Sequence, residues 1–234
     1  MKRIGKCLKF ELYYLGRVTL GFLGSYFVIY FTIMCLALLS PKVIVGGSFN
    51  SSFAIAGAIF TFIFITTSYK MLFNNLLLFG NTRKNIMISS FVAYFALSVV
   101  TAAVSVMSAY LEGTLVRSNV NFFNALYPQN VNAATEFIWF LAFFVFISIC
   151  GMLHGSLSYK FGRVFKIIFW VGISFIIMFL PLLIDLKAIV NILSAVFRVG
   201  STNGIFVAPL NMLAATVILG AITWLAVRRQ PQNA

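Results

Sequence analysis

Charge is what this 234-residue sequence has least of, with only 9% of its residues Asp, Glu, Lys or Arg. Soluble domains carry about a quarter. Because 62% of the residues are hydrophobic, 27 of them Phe, too little polar surface exists to cover a globule, and lipid must be part of the solvent. Acids are scarcer still: Glu11, Glu112, Glu136 and Asp185 are the whole set, which leaves no acidic cluster for a divalent cation. The three cysteines, Cys7, Cys35 and Cys150, form no C-x-x-C pair. That argues against a disulfide framework or a zinc site, and they read as small apolar residues. His154 is the only histidine, and Ser156 and Ser158 beside it lack a nucleophile-elbow context, so it is expected to face headgroups or a carbonyl. No G-x-x-x-x-G-K-[ST] phosphate cradle is present. The chain is therefore expected to be no enzyme and to hold no cofactor of its own.

What is present in quantity is long apolar runs. About 20 mostly apolar residues cross the hydrocarbon of a bilayer as a helix. Six stretches qualify: 18–39, 52–68 (continuing apolar to 73), 86–110, 137–156, 167–184 and 206–227. His154 is the only ionisable Asp, Glu, Lys, Arg or His within them. Barrel strands would alternate polar and apolar residues, so the expected class is an all-α integral membrane protein forming one transmembrane domain over 1–234. The first run exceeds a signal peptide's apolar core and has no small-x-small cleavage site after it, so it is expected to remain as a span.

The bases set the orientation. Lys2, Arg3, Lys6, Lys9 and Arg17, then Lys70, Arg83 and Lys84, then Lys160, Arg163 and Lys166, and finally Arg228 and Arg229 all fall on one side of a six-span layout. The other side receives Lys42, Arg117, Lys187 and Arg198, along with Glu112, Glu136 and Asp185. By the positive-inside rule both termini are cytoplasmic, in a multi-pass protein of the cell (inner) membrane. The net charge of +13 is thus expected to meet anionic lipid and not nucleic acid, since the bases are scattered among apolar spans.

Between the spans, residues 2–17 place Ile4, Leu8, Leu12 and Leu15 at helical spacing with Lys2, Lys6 and Lys9 on another face, which predicts an interfacial helix on the inner leaflet. Residues 186–204 are apolar between Lys187 and Arg198 but too short to span, so a re-entrant or surface-lying amphipathic helix is expected before the sixth span. Small residues at Ser98, Ala102, Ser105 and Ala109 line one face of the third span, a helix-packing signal in lipid.

The second run overruns the membrane into Asn74, Asn75, Leu76, Leu77, Leu78, Phe79, Gly80, Asn81, Thr82, Arg83 and Lys84. A helix that protrudes and bends at Gly80 fits this pattern. Leu77 and Phe79, apolar and expected outside the bilayer, invite a partner more than Arg83 and Lys84, which topology alone explains. The absence of carboxylates within the spans also argues against coupling to an ion gradient. It favours coupling through a cytoplasmic partner.

The stretch Leu76 to Lys84 resembles the inner loop of small ABC-2-type transporter permeases, which commonly read apolar-x-x-x-Gly-x-(Ser/Thr)-Arg-Lys there. Leu157-Ser-Tyr159-Lys160-Phe-Gly162-Arg163 is similar to their second inner loop. Six spans, cytoplasmic termini, a basic pre-helix and an amphipathic stretch before the sixth span match the family's layout, whereas Asn81 departs from its usual small or apolar residue. The resemblance implies pairing with a second permease copy or paralogue and with separate ABC ATPase subunits. Those subunits would carry ATP and Mg, and Asn74–Lys84 would seat on them as a coupling element. The uncharged spans suit an amphipathic peptide or lipid-like compound as the exported cargo. Two other classes fit the composition. One is a six-span substrate-binding subunit of an importer, using Asn119, Asn121, Asn124 and Asn211 as an outer pocket. The other is a non-transporting membrane immunity or sensor protein.

Overall fold

The structure of the chain is a computed structural model that describes residues 2–39, 49–115, 123, 126–127, 132–183, 194–195 and 204–228. These residues form five helices: α1 (Lys2–Leu39), α2 (Phe49–Leu78), α3 (Arg83–Leu115), α4 (Ala133–Leu183) and α5 (Gly204–Arg228). Each contains a stretch long and apolar enough to cross a membrane. Large apolar side chains such as Leu20, Val28, Phe95, Ile168, Val217 and Leu225 cover their outward faces. In water such a surface would drive aggregation, and in a bilayer it is solvated. The architecture is that of an all-helical, multi-pass membrane protein. The amphipathic segment expected at 186–204 lies outside the described residues except at 194–195 and 204, as do Lys42, Arg117, Lys187, Arg198 and Arg229.

One expectation changes at the level of elements. Residues 2–17 are not a separate interfacial helix, because α1 runs unbroken from Lys2 to Leu39. No proline or left-handed glycine stands at the expected boundary. The reason lies in a stripe that crosses it: Cys7, Glu11, Leu15, Thr19 and Leu23 are spaced by four and all buried. Such an i±4 ridge packs into the grooves of a neighbouring helix, here α3. The apolar face read from the sequence was rotated from the true one, for Leu12 lies outside it and Cys7 and Glu11 lie within.

The fourth and fifth apolar runs form two helical arms of α4 that follow one another with no loop between them. α4 breaks only at Gly162, whose φ of 75° and ψ of −152° are non-helical. In a straight helix residues 154 and 169 would stand about 22 Å apart. Their ring centroids are 4.0 Å apart, and His154 also meets Phe165 and Trp170. The arm 163–183 therefore folds back along the arm 133–161.

Small residues bring the helices together. In α4, Gly151 and Gly155 form a G-x-x-x-G pair whose backbone lies against Phe62, Ile65, Thr66 and Tyr69 of α2. Thr66 Oγ1 donates to the Gly151 carbonyl at 3.2 Å across that contact. The stripe foreseen on α3 is buried at Ser98, Ala102 and Ser105. Ser98 and Ser148 of α4 share a hydrogen bond of 3.1 Å. Large side chains fill the spaces on either side: Ile65, Phe73, Met87 and Met152 in one cluster, Phe123, Phe140, Phe144 and Met212 in the other.

Candidate functional site

The turn between α2 and α3 is built by its sequence. α2 has 30 residues, so it is about 45 Å long and exceeds a bilayer core of about 30 Å. Its end is a Schellman motif: Gly80 N donates to the Leu77 carbonyl and Asn81 N to the Leu76 carbonyl, with Gly80 at φ 72°. Asn81 adds its own Nδ2, which donates to the same Leu76 carbonyl at 3.0 Å. Asn81 therefore closes the turn. Thr82 then opens α3 as its N-cap, its Oγ1 accepting from Asn85 N at 3.3 Å. Gly80, Asn81 and Thr82 reverse the chain through these hydrogen bonds.

Other inner-loop residues gather around this turn. Tyr159 Oη donates to Asn74 Oδ1 at 2.9 Å, fixing the end of the first arm of α4 against α2. Asn75 is half-buried beside it, its carbonyl accepting from Phe79 N. Phe10 of α1 meets Phe79 edge-on with centroids 6.0 Å apart. Arg83 Nη1 donates to the Arg228 carbonyl at 3.0 Å, capping the last turn of α5. Lys160 lies over the Phe161 ring, and Gly162 and Arg163 are exposed past it. One end of the bundle thus collects Lys6, Lys9, Lys70, Arg83, Lys84, Lys160, Arg163 and Arg228. Arg17 stands exposed two turns further along α1. The side chains of Lys2 and Arg3 are outside the description.

Arg83 has a structural duty that topology alone did not suggest. A cation at a helix C-terminus is worth about 0.3–1 kcal/mol at an exposed site. Arg83→Gln is expected to cost no more than that. Its effect should appear as faster amide exchange in the last turn of α5, with the bundle otherwise intact.

The apolar part of the elbow divides differently from the sequence expectation. Leu76 is 1% exposed, and Leu77 packs half-buried against the same cluster. Leu78 and Phe79 are 80% and 69% exposed. Leu77 is thus a core residue, because it lies inside the Schellman turn where the helix folds back on itself. The open apolar patch is Leu78 and Phe79, flanked by Thr82 and Lys84.

Two residues stand where the sequence did not place them. Glu11 was expected outside the spans on the leaflet surface, and the interior was expected to hold no carboxylate. Instead Glu11 is 1% exposed between α1 and α3, its Oε1 accepting from Ser90 Oγ at 2.7 Å. The signal was available in the sequence: Glu11 continues the spacing of Cys7 and Leu15, and it is the one acid on the basic side. His154 meets neither a headgroup nor a carbonyl. It is 4% exposed within a cage of Phe62, Phe165, Phe169 and Trp170, and neither ring nitrogen has a partner.

Away from the basic end, a lateral groove of about 540 Å³ opens between α3, α4 and α5. Phe91, Phe95, Val145, Ile149, Val217 and Trp224 line it. Its walls are apolar, with the Ser98–Ser148 pair at the base. Of the four asparagines considered as an outer pocket, Asn211 is exposed on α5 and the other three lie outside the described residues. No family model, no curated protein and no solved structure matches this chain.

Proposed function

We propose that the chain is the membrane-spanning permease subunit of an ATP-driven ABC-type exporter, seated on separate ATPase subunits through the 74–84 elbow. In this reading the two arms of α4 are separate crossings, giving six spans with both termini cytoplasmic in the cell membrane. The protein works with a second copy or paralogue, and ATP and Mg belong to the partner ATPases. The observation that carries the reading is the pair Leu78–Phe79. Two large apolar side chains stand open at the tip of a helix that overruns the bilayer, on a turn closed by its own hydrogen bonds. Lipid cannot cover them if the surrounding lysines and arginines sit at the headgroups, and a soluble subunit can. The same closed turn would transmit force along α2 into its contact with α4. The apolar groove beside α5 supports an amphipathic or lipid-like cargo.

The reading requires an ABC ATPase encoded near this chain, and the test is its co-purification with the protein. Leu78→Asp/Phe79→Asp is expected to keep the elution profile and helical content of the parent, since both side chains are exposed. ATPase recovery should fall roughly 30-fold or more, the loss of a central interface anchor of about 2 kcal/mol. Leu77→Asp, by contrast, is expected to damage the fold itself. If the double variant recovers the ATPase at the parent's level, the elbow does not couple the subunits and the reading fails.

A further inference from the structure

Among the described residues, Glu11 is the carboxyl whose surroundings ask for a ligand. Its Oε1 is held by Ser90, with the Ser89 hydroxyl also beside the carboxyl, while Oε2 is buried and makes no hydrogen bond of good geometry. No lysine or arginine pairs with it among the described residues. The titratable groups that interact with it are the Cys7 thiol, one turn earlier on α1, and the Tyr94 hydroxyl, one turn beyond Ser90 on α3. Tyr69 of α2 stands next to Tyr94 in turn. None of these is a cation. A carboxylate removed from water without a counter-charge takes up a proton in preference to carrying its charge inside.

Ser90 links Glu11 to a small internal space. Its side chain lines a cavity of about 10 Å³ together with Tyr69, Met87, Tyr94 and Val227. That volume suits about one water molecule among polar partners. Val227 precedes Arg228, so the cavity lies toward the basic end of the bundle.

We propose that Glu11 is a proton-binding site, its carboxyl carrying a proton while α1 packs on α3 and releasing it to water when the two helices part. The step breaks the Glu11 O–H bond and leaves the electron pair on the carboxylate. The proton passes to water and leaves by the basic end. Glu11 lies on the ridge Cys7–Glu11–Leu15–Thr19–Leu23, so an unpaired charge there would push α1 from α3 along the whole contact. Proton occupancy thereby sets the packing of the first helix. This inference is independent of the ATPase reading, because it concerns only the α1–α3 contact.

The full-length protein in nanodiscs of neutral lipid is the material for the test, read by infrared spectroscopy and by thermal unfolding across an acid-to-alkaline pH series. The wild type is expected to show the carbonyl stretch of a protonated carboxyl, fading as pH rises, and its unfolding midpoint should fall over the same range. Glu11→Gln keeps the shape of the neutral acid. It should lack the band and show a pH-independent midpoint over that range. Ser90→Ala keeps the carboxyl and removes its donor, so the band should persist at higher frequency, which assigns it even if Glu11→Gln does not fold. A band that survives in Glu11→Gln overturns the proposal. So does a band unmoved in Ser90→Ala, or a midpoint whose pH dependence is the same in wild type and Glu11→Gln.

Discussion

Replacing Gly155 with leucine is expected to leave no folded, monodisperse protein in detergent or nanodiscs. A Cβ at this position would stand 2.8 Å from Tyr69 Cβ and 3.1 Å from Tyr69 Cγ, with the Thr66 carbonyl at 3.4 Å. The atoms it meets are the root of a side chain and a backbone oxygen, so neither can swing away. Tyr69 is itself buried and stacks on Phe73 with centroids 5.6 Å apart, which anchors the obstacle from behind. One turn earlier the same surface is nearly as tight, a Cβ at Gly151 standing 3.1 Å from the Phe62 carbonyl.

Helix association in lipid gains little from burial and depends on such close approach. The separation that leucine forces at Gly155 would break the Thr66–Gly151 hydrogen bond as well. Alanine is the graded version: overpacking by one methyl costs about 1–3 kcal/mol, or a midpoint lowered by roughly 2–12 °C in a chain of this size. Gly172 serves as the control, since nothing lies within 4 Å of an added Cβ there. Its alanine variant should unfold with the parent. If Gly155→Leu folds as the parent does, α2 and α4 are not packed through this face.

How much of this was legible in the sequence depends on what fixes each feature. The helices were legible because a bilayer demands about 20 apolar residues, a requirement composition alone can reveal. The bend at Gly80 was legible because a helix stop uses local residues: glycine at the left-handed position and threonine as the next cap. Burial was not legible in the same way. In water an apolar stripe marks the core, but in lipid the outward face is apolar too, so Leu12 and Cys7 compete on equal terms for the inward face. Only the small residues break that symmetry, and the Ser98–Ala102–Ser105 stripe was readable for that reason. Gly151-x-x-x-Gly155 carried the same signal and was passed over beside the more conspicuous His154. α1 was laid on the surface because Ile4, Leu8, Leu12 and Leu15 were read as its apolar face with Lys2, Lys6 and Lys9 on another, a pattern that gave Glu11 no place. Leu77 was misjudged for a different reason, since a Schellman turn buries the residues that it caps and a linear reading treats all of Leu76–Phe79 as protruding.

The same substitution at the two left-handed glycines is expected to give opposite results, Gly80→Asn mild and Gly162→Asn severe. Both residues have positive φ, at 72° and 75°, and a Cβ added at either would meet nothing within 4 Å. Sterics with the rest of the fold therefore do not separate them, and the backbone does. Gly80 carries the hydrogen bonds of a Schellman cap, a left-handed helical geometry that asparagine also adopts. Gly162 has ψ at −152°, in a region that residues other than glycine essentially do not enter. The penalty there is of order 1–3 kcal/mol. It falls on the one residue that lets the arm 163–183 return along the arm 133–161.

What opposes that penalty is the set of ring contacts from Phe165, Phe169 and Trp170 to His154 and Phe62, while most of residues 163–175 are exposed. A contact supported mainly by rings is expected to yield before the backbone does. With Trp139 and Trp224 replaced by Phe, Trp170 becomes the only indole and reports directly on the arm. Gly162→Asn should shift its emission and raise its accessibility to a lipid-soluble quencher, and Gly80→Asn should change neither. Equal changes in both variants would mean that the second arm is held by something other than the backbone geometry at Gly162.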